Sequence, residues 1–87
     1  MAHKRPPDPQ TAALAAQIGR RVRALRRERG LSQEALGQLV GLHRIYIGEF
    51  ERGKRQNPTL ANLRSIALAL GVPVRDLFPV GDGMPEQ

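Results

Sequence analysis

The stretch that most limits the fold is residues 32–53, SQEALGQLVGLHRIYIGEFERG. Start and stop signals for a helix occur twice in it. Ser32 is a good N-cap, followed by the helix formers Gln33, Glu34, Ala35 and Leu36. Leu36, Leu39 and Val40 fall on one helical face. Gly41 then stands where a helix must stop and turn sharply, a place that favours positive φ. A second periodic run carries Ile47 and Phe50 at i, i+3, with Glu51 beside them and Gly53 at the end. Two helices that cross steeply through a short turn need a small residue on the first, a compact one at the turn and apolar ones on the inner face of the second. Gly37, Gly41 and the pair Ile47 and Phe50 meet those needs.

Spacing alone fits any helical hairpin in a small bundle, so charge matters next. The 87 residues carry a net charge of +6, with a pI near 11.3. The excess is local: between residues 20 and 55 stand ten Lys or Arg against four acids. Arginine outnumbers lysine twelve to two, which codon bias alone can produce, but bias does not explain the clustering. A polyanionic partner does. Cysteine is absent, which excludes disulfides and thiolate zinc sites and fits a reducing cytoplasm, the expected location. No run approaches the ~20 apolar residues of a membrane span, so no membrane partner is expected. The basic N-terminus lacks the apolar segment of a secretory signal. No paired carboxylates, no Ser/His/Asp set, no metal cluster and no phosphate loop occur. The chain is therefore expected to be no enzyme, with no metal, cofactor or small-molecule ligand.

The remaining residues predict one small all-α domain, a compact five-helix bundle over 12–79. Residues 1–11 hold three prolines and few apolar residues, and are expected to form a disordered arm. Lys4 and Arg5 there either touch the polyanion or belong to a floppy tail. Helix 1 is expected over 12–29, with Leu14, Ile18, Val22 and Leu25 as its apolar stripe and Gly30 as its stop. Helices 2 and 3 follow over 32–40 and 44–52. Thr59 caps helix 4 over 60–70, with Leu60, Leu63, Ile66, Ala67 and Leu70 inward and Gly71 as stop. A short helix 5 is expected over 72–78, with Pro73 in its first turn. Residues 80–87 are expected to be a flexible tail.

Taken in order, LSQE, ERGKR, NPTL and the closing ALGV followed four residues later by LF make residues 18–78 resemble the phage-repressor and Cro-like helix-turn-helix family, also called the XRE family. LHRIYIGEFERGKR is also similar to the recognition-helix region of restriction–modification controller proteins, a branch of that family. The resemblance implies a lambda-repressor-like fold and a cytoplasmic, sequence-specific regulator of transcription that binds double-stranded DNA. An antitoxin, or another protein-interaction module on the same fold, is the alternative.

In such a fold the N-terminal half of the second helix enters the major groove, where base edges form a readable code. Here that half holds His43, Arg44, Ile45, Tyr46, Gly48 and Glu49. The base-contact candidates are Arg44, Ile45, Glu49 and His43. Arg44 matches a major base-contact position of the family, and its fork suits guanine O6 and N7. Ile45 suits a thymine methyl. Glu49 either accepts from cytosine N4 or holds Arg44 or Arg52 in place. His43 stands where the family usually has Ser or Thr as N-cap. The cap is then weaker, or depends on the imidazole, or His43 faces DNA. Gln33, Tyr46, Arg52, Lys54, Arg55 and Asn57 are the phosphate-contact candidates, Tyr46 having packing against a neighbouring helix as its other reading. The resemblance also implies a partly buried ion pair between Arg26 and Glu51. A homodimer on a palindromic operator is expected. Val74, Leu77, Phe78 and Val80 make the chain's end more apolar than one short helix needs, and are the expected interface.

Overall fold

The computed structural model describes residues 8–79. Four α-helices, α1 (Pro9–Glu28), α2 (Gln33–Val40), α3 (Arg44–Glu51) and α4 (Leu60–Leu70), are followed by a single 3-10 turn, Val74–Leu77. Among the described residues there is no strand. The bundle thus has four helices rather than the expected five. The segment between Pro73 and Pro79 has room for one turn only, and Pro73 precedes that turn as its N-cap instead of lying within it.

Helix α1 begins three residues before the expected start. Asp8 caps it, accepting the Thr11 N–H at 2.7 Å, and Pro9 occupies the first turn, where its missing N–H costs nothing. Residues 9–11 are therefore helical and not part of an arm. Residues 1–7, with Lys4 and Arg5, and residues 80–87, with Val80, lie outside the described residues.

The other boundaries follow side-chain chemistry. Ser32 Oγ accepts from Ala35 N–H at 2.9 Å and Thr59 Oγ1 accepts from Asn62 N–H at 3.0 Å. Gly41 and Gly71 close α2 and α4 in the left-handed region, both with φ of 75°.

The core is one cluster. Val22, Leu36, Ile47, Ile66, Leu70 and Leu77 are sealed from solvent, and Ile18, Leu25, Phe50 and Leu63 close around them. Each such side chain contributes about 1.5–3 kcal/mol of burial. Two residues assigned to the inward faces are outside: Leu39 is 63% exposed and Leu60 83%. Both sit at helix ends, where a helical face has run past the partner it packs on.

Helix α1 crosses α3 in backbone contact. A Cβ on Gly19 would lie 2.4 Å from the Phe50 carbonyl oxygen, so no larger residue fits. Two arginines of the basic cluster serve the fold. Arg29 donates to the Leu70 carbonyl at the end of α4, and Arg21 Nε donates to the Asp76 carbonyl at 3.0 Å, tying α1 to the 3-10 turn.

Candidate nucleic-acid interface

The geometry of α3 begins with glycines. A Cβ on Gly37 would lie 2.3 Å from the Leu42 carbonyl oxygen, so α2 and the turn pack backbone to backbone. Leu42 N–H donates to the Gly37 carbonyl at 2.9 Å, and Gly41 reverses the chain. His43 then caps α3 through its imidazole: Nδ1 accepts from Ile45 N–H at 3.0 Å.

Helix α3 is sharply two-faced. Ile47, Gly48, Phe50 and Glu51 are buried, whereas His43, Arg44 and Ile45 are exposed, and Tyr46 and Glu49 are half-buried. Ile45, an apolar β-branched residue, is 58% exposed beside Arg44. Gly48 does not belong to the outward set as expected. The Gln33 amide and the Arg52 guanidinium lie over it, and a Cβ there would meet them at 3.3 and 3.2 Å.

The back of α3 is held through Glu51. Arg26 Nε donates to Glu51 Oε2 at 2.6 Å and Arg26 Nη2 to Oε1 at 3.0 Å, with both side chains almost wholly buried. Arg26 Nη1 donates to the Leu31 carbonyl at 2.8 Å, and Gln33 Nε2 donates to Glu51 Oε1 at 3.1 Å. One carboxylate thus gathers α1, the start of α2 and α3. Gln33 is half-buried here, with its amide nitrogen turned toward Glu51. Anion-binding capacity at this end lies also in the first backbone amides of α2, which have no intrahelical acceptor.

The exit of α3 folds back on the helix. Gly53, with φ of 78°, reverses the chain, and Lys54 N–H donates to the Glu49 carbonyl at 2.9 Å. Arg55 consequently lies over the Tyr46 ring, 4.6 Å from its centroid, with Nη2 2.8 Å from Glu49 Oε1. The partner of Glu49 is therefore Arg55, not Arg44 or Arg52. As a half-exposed surface pair it is worth at most ~1 kcal/mol and is free to exchange partners. Tyr46 also accepts from Asn62 Nδ2 at 3.3 Å and tilts against Phe50, so it bridges α3 and α4 while staying half-buried. Arg52, Lys54, Arg55 and Asn57 are all exposed around this exit.

Leu77 leaves the expected dimer surface, since it is fully buried in the core. Phe78 is exposed and Val74 half-buried. Among the described residues no group of His, Asp and Glu gathers to hold a metal ion, and no helix is long and apolar enough to cross a membrane.

A family model described as HTH_3, helix-turn-helix, matches residues 22–77, more than half of the chain. The chain belongs to this helix-turn-helix family. Within the family it is similar to the restriction-modification controller protein C.AhdI from Aeromonas hydrophila: 47% identity over 74% of this chain and 96% of that one, with a TM-score of 0.70. It also resembles SinR, a master regulator for biofilm formation, in a structure solved in complex with DNA, at 32% identity and a TM-score of 0.66 over 69% of this chain and 95% of that one. The immunity repressor of Bacillus phage phi105 is 42% identical over 57 residues, 66% of this chain. The chain spans only 39% of that repressor's length. The matched span contains α2, the turn at Gly41 and α3.

Proposed function

We propose that the chain is a sequence-specific, double-stranded DNA-binding regulator of transcription, without catalysis, that acts as a homodimer. The observation that carries this reading is the division of α3. Its rear is anchored by a buried ion pair, while Arg44 and Ile45 stand together in solvent at its leading end. An exposed isoleucine beside an arginine is poorly placed for water and well placed for a thymine methyl next to a guanine.

In this reading α3 enters the major groove. Arg44 donates its fork to guanine O6 and N7, Ile45 packs on thymine, and Glu49 accepts from cytosine N4 when Arg55 moves to a phosphate. Gln33, Arg52, Lys54, Arg55, Asn57 and the Tyr46 hydroxyl contact phosphates on either side, fixing register without reading sequence. One such helix covers few base pairs, so two copies are needed, with recognition helices about 34–36 Å apart. Phe78 and Val74 remain as interface candidates, joined by Leu60 and Leu68, both exposed on α4.

Selection of bound sites from random duplex DNA, followed by footprinting, tests the reading. The expected product is a two-fold symmetric site with half-sites one helical turn apart. Log K should fall with log salt by about 0.9 per neutralised phosphate, and Arg52→Ala or Lys54→Ala should flatten that slope while weakening all sequences alike. No enrichment, or a salt slope near zero, refutes DNA recognition. A sedimenting monomer both free and on its site, with an asymmetric footprint, refutes the dimer.

A further inference from the structure

The cap of α3 has a chemical consequence for DNA reading. A backbone N–H can only donate, so the His43 nitrogen that faces Ile45 N–H must be bare. A neutral imidazole with bare Nδ1 carries its proton on Nε2. The ring is exposed and opens on a hollow lined by Glu34, Gln38, Leu42 and Arg44. Among the described residues no protein group accepts from Nε2–H. Glu34 is the one carboxylate of the hollow and comes from the exposed face of α2; Arg44 is the one cation. A serine would also cap the helix, but its short hydroxyl stays close to the backbone. The imidazole caps with its near nitrogen and holds a hydrogen-bond donor out at the leading end of α3.

We propose that His43 is a donor-only specificity residue: its Nε2–H selects a base that presents an acceptor in the major groove and rejects cytosine. Guanine offers N7 and O6 there, adenine N7 and thymine O4, whereas cytosine offers its N4 amino donor. Asparagine or glutamine, with both donor and acceptor, would not discriminate this way. The inference rests on the DNA reading above, but it adds a residue whose tautomer is dictated by a backbone bond.

Two measurements test it. In the free protein, long-range 1H–15N correlation of the His43 ring should show a protonated Nε2 and a bare Nδ1; the opposite tautomer overturns the proposal whether or not DNA is bound. On the selected operator, His43→Ser keeps a cap and removes the outer donor. It should melt like the wild type, bind about three- to tenfold more weakly, and tolerate cytosine at one position per half-site. His43→Ala should lose thermal stability as well. If the selected base at that position is a purine, its 7-deaza analogue should weaken wild type and leave His43→Ser unaffected. A serine variant with wild-type affinity and base preference makes His43 a cap only and overturns the inference. So does a loss that follows methylphosphonate replacement of a phosphate and no base change. A wild-type protein that enriches no sequence sinks the DNA reading itself, an outcome distinct from either.

Discussion

Removing the Glu51 carboxylate should come close to unfolding the domain. Glu51→Ala leaves the Arg26 guanidinium buried between α1 and α3 with one remaining acceptor, the Leu31 carbonyl at 2.8 Å. It also deprives the Gln33 amide of its partner. Stranding one member of a buried ion pair costs about 3–5 kcal/mol, and the orphaned amide adds to that. A domain of this size has about 4–10 kcal/mol in total. The variant should therefore show a much lower urea midpoint or no cooperative transition at all at 25 °C. Replacing both partners, as in Arg26→Met with Glu51→Leu, removes the desolvated charges together and should recover most of the loss. Urea unfolding followed by circular dichroism on wild type, both single variants and the double variant closes the cycle. The reasoning fails if Glu51→Ala loses less than about 1 kcal/mol, or if the two single losses simply add, since either result means the charges do not depend on each other.

Three other outcomes follow from the geometry. Arg44→Ala should cost roughly 1–3 kcal/mol on the selected operator and relax preference at one base position per half-site, and Arg44→Lys should restore only part because an ammonium lacks the fork; fluorescence anisotropy on matched and mismatched duplexes decides. Gly19→Ala should destabilise by about 1–3 kcal/mol or more, because its methyl meets the backbone of Phe50, and an unchanged melting temperature would show that α1 can shift freely. Asp8 has its carboxyl held below the ordinary aspartate range by the Thr11 N–H it accepts, so its capping is present above the unfolded-state value and disappears as pH falls through the lower folded value. The Thr11 amide resonance should titrate in that acid window in wild type and not in Asp8→Ala.

Much of this architecture could be read from punctuation. Ser32, Thr59, Gly41 and Gly71 mark helix ends because capping and positive φ are local demands, satisfied within a few residues. The start of α1 was also written locally, in Asp8 followed by Pro9, but proline density nearby pointed to an arm instead. Leu39 and Leu60 fit a helical stripe by spacing, and spacing does not say how far the neighbouring element extends. Long-range pairings divide in the same way. Adjacency on one helix suggested Arg44 or Arg52 for Glu49, whereas the reversal at Gly53 delivers Arg55. Net charge could not separate Arg21 and Arg29, which donate to backbone carbonyls of distant elements, from Lys54 and Arg55, which border the exit of α3.

The anchor of α3 and its outward residues occupy different positions of one short helix. Ile47, Gly48, Phe50 and Glu51 hold it in place, and His43, Arg44, Ile45 and Glu49 take no part in the core. Mutations at the outward positions are thus nearly free of folding cost, provided residue 43 still caps. A lineage can change its target site stepwise through folded intermediates. Paralogues in one cell can drift to separate operators without first acquiring compensating changes in the core. The same separation makes a library randomised at 44, 45 and 49 a practical source of altered specificities, with stability nearly constant across its members.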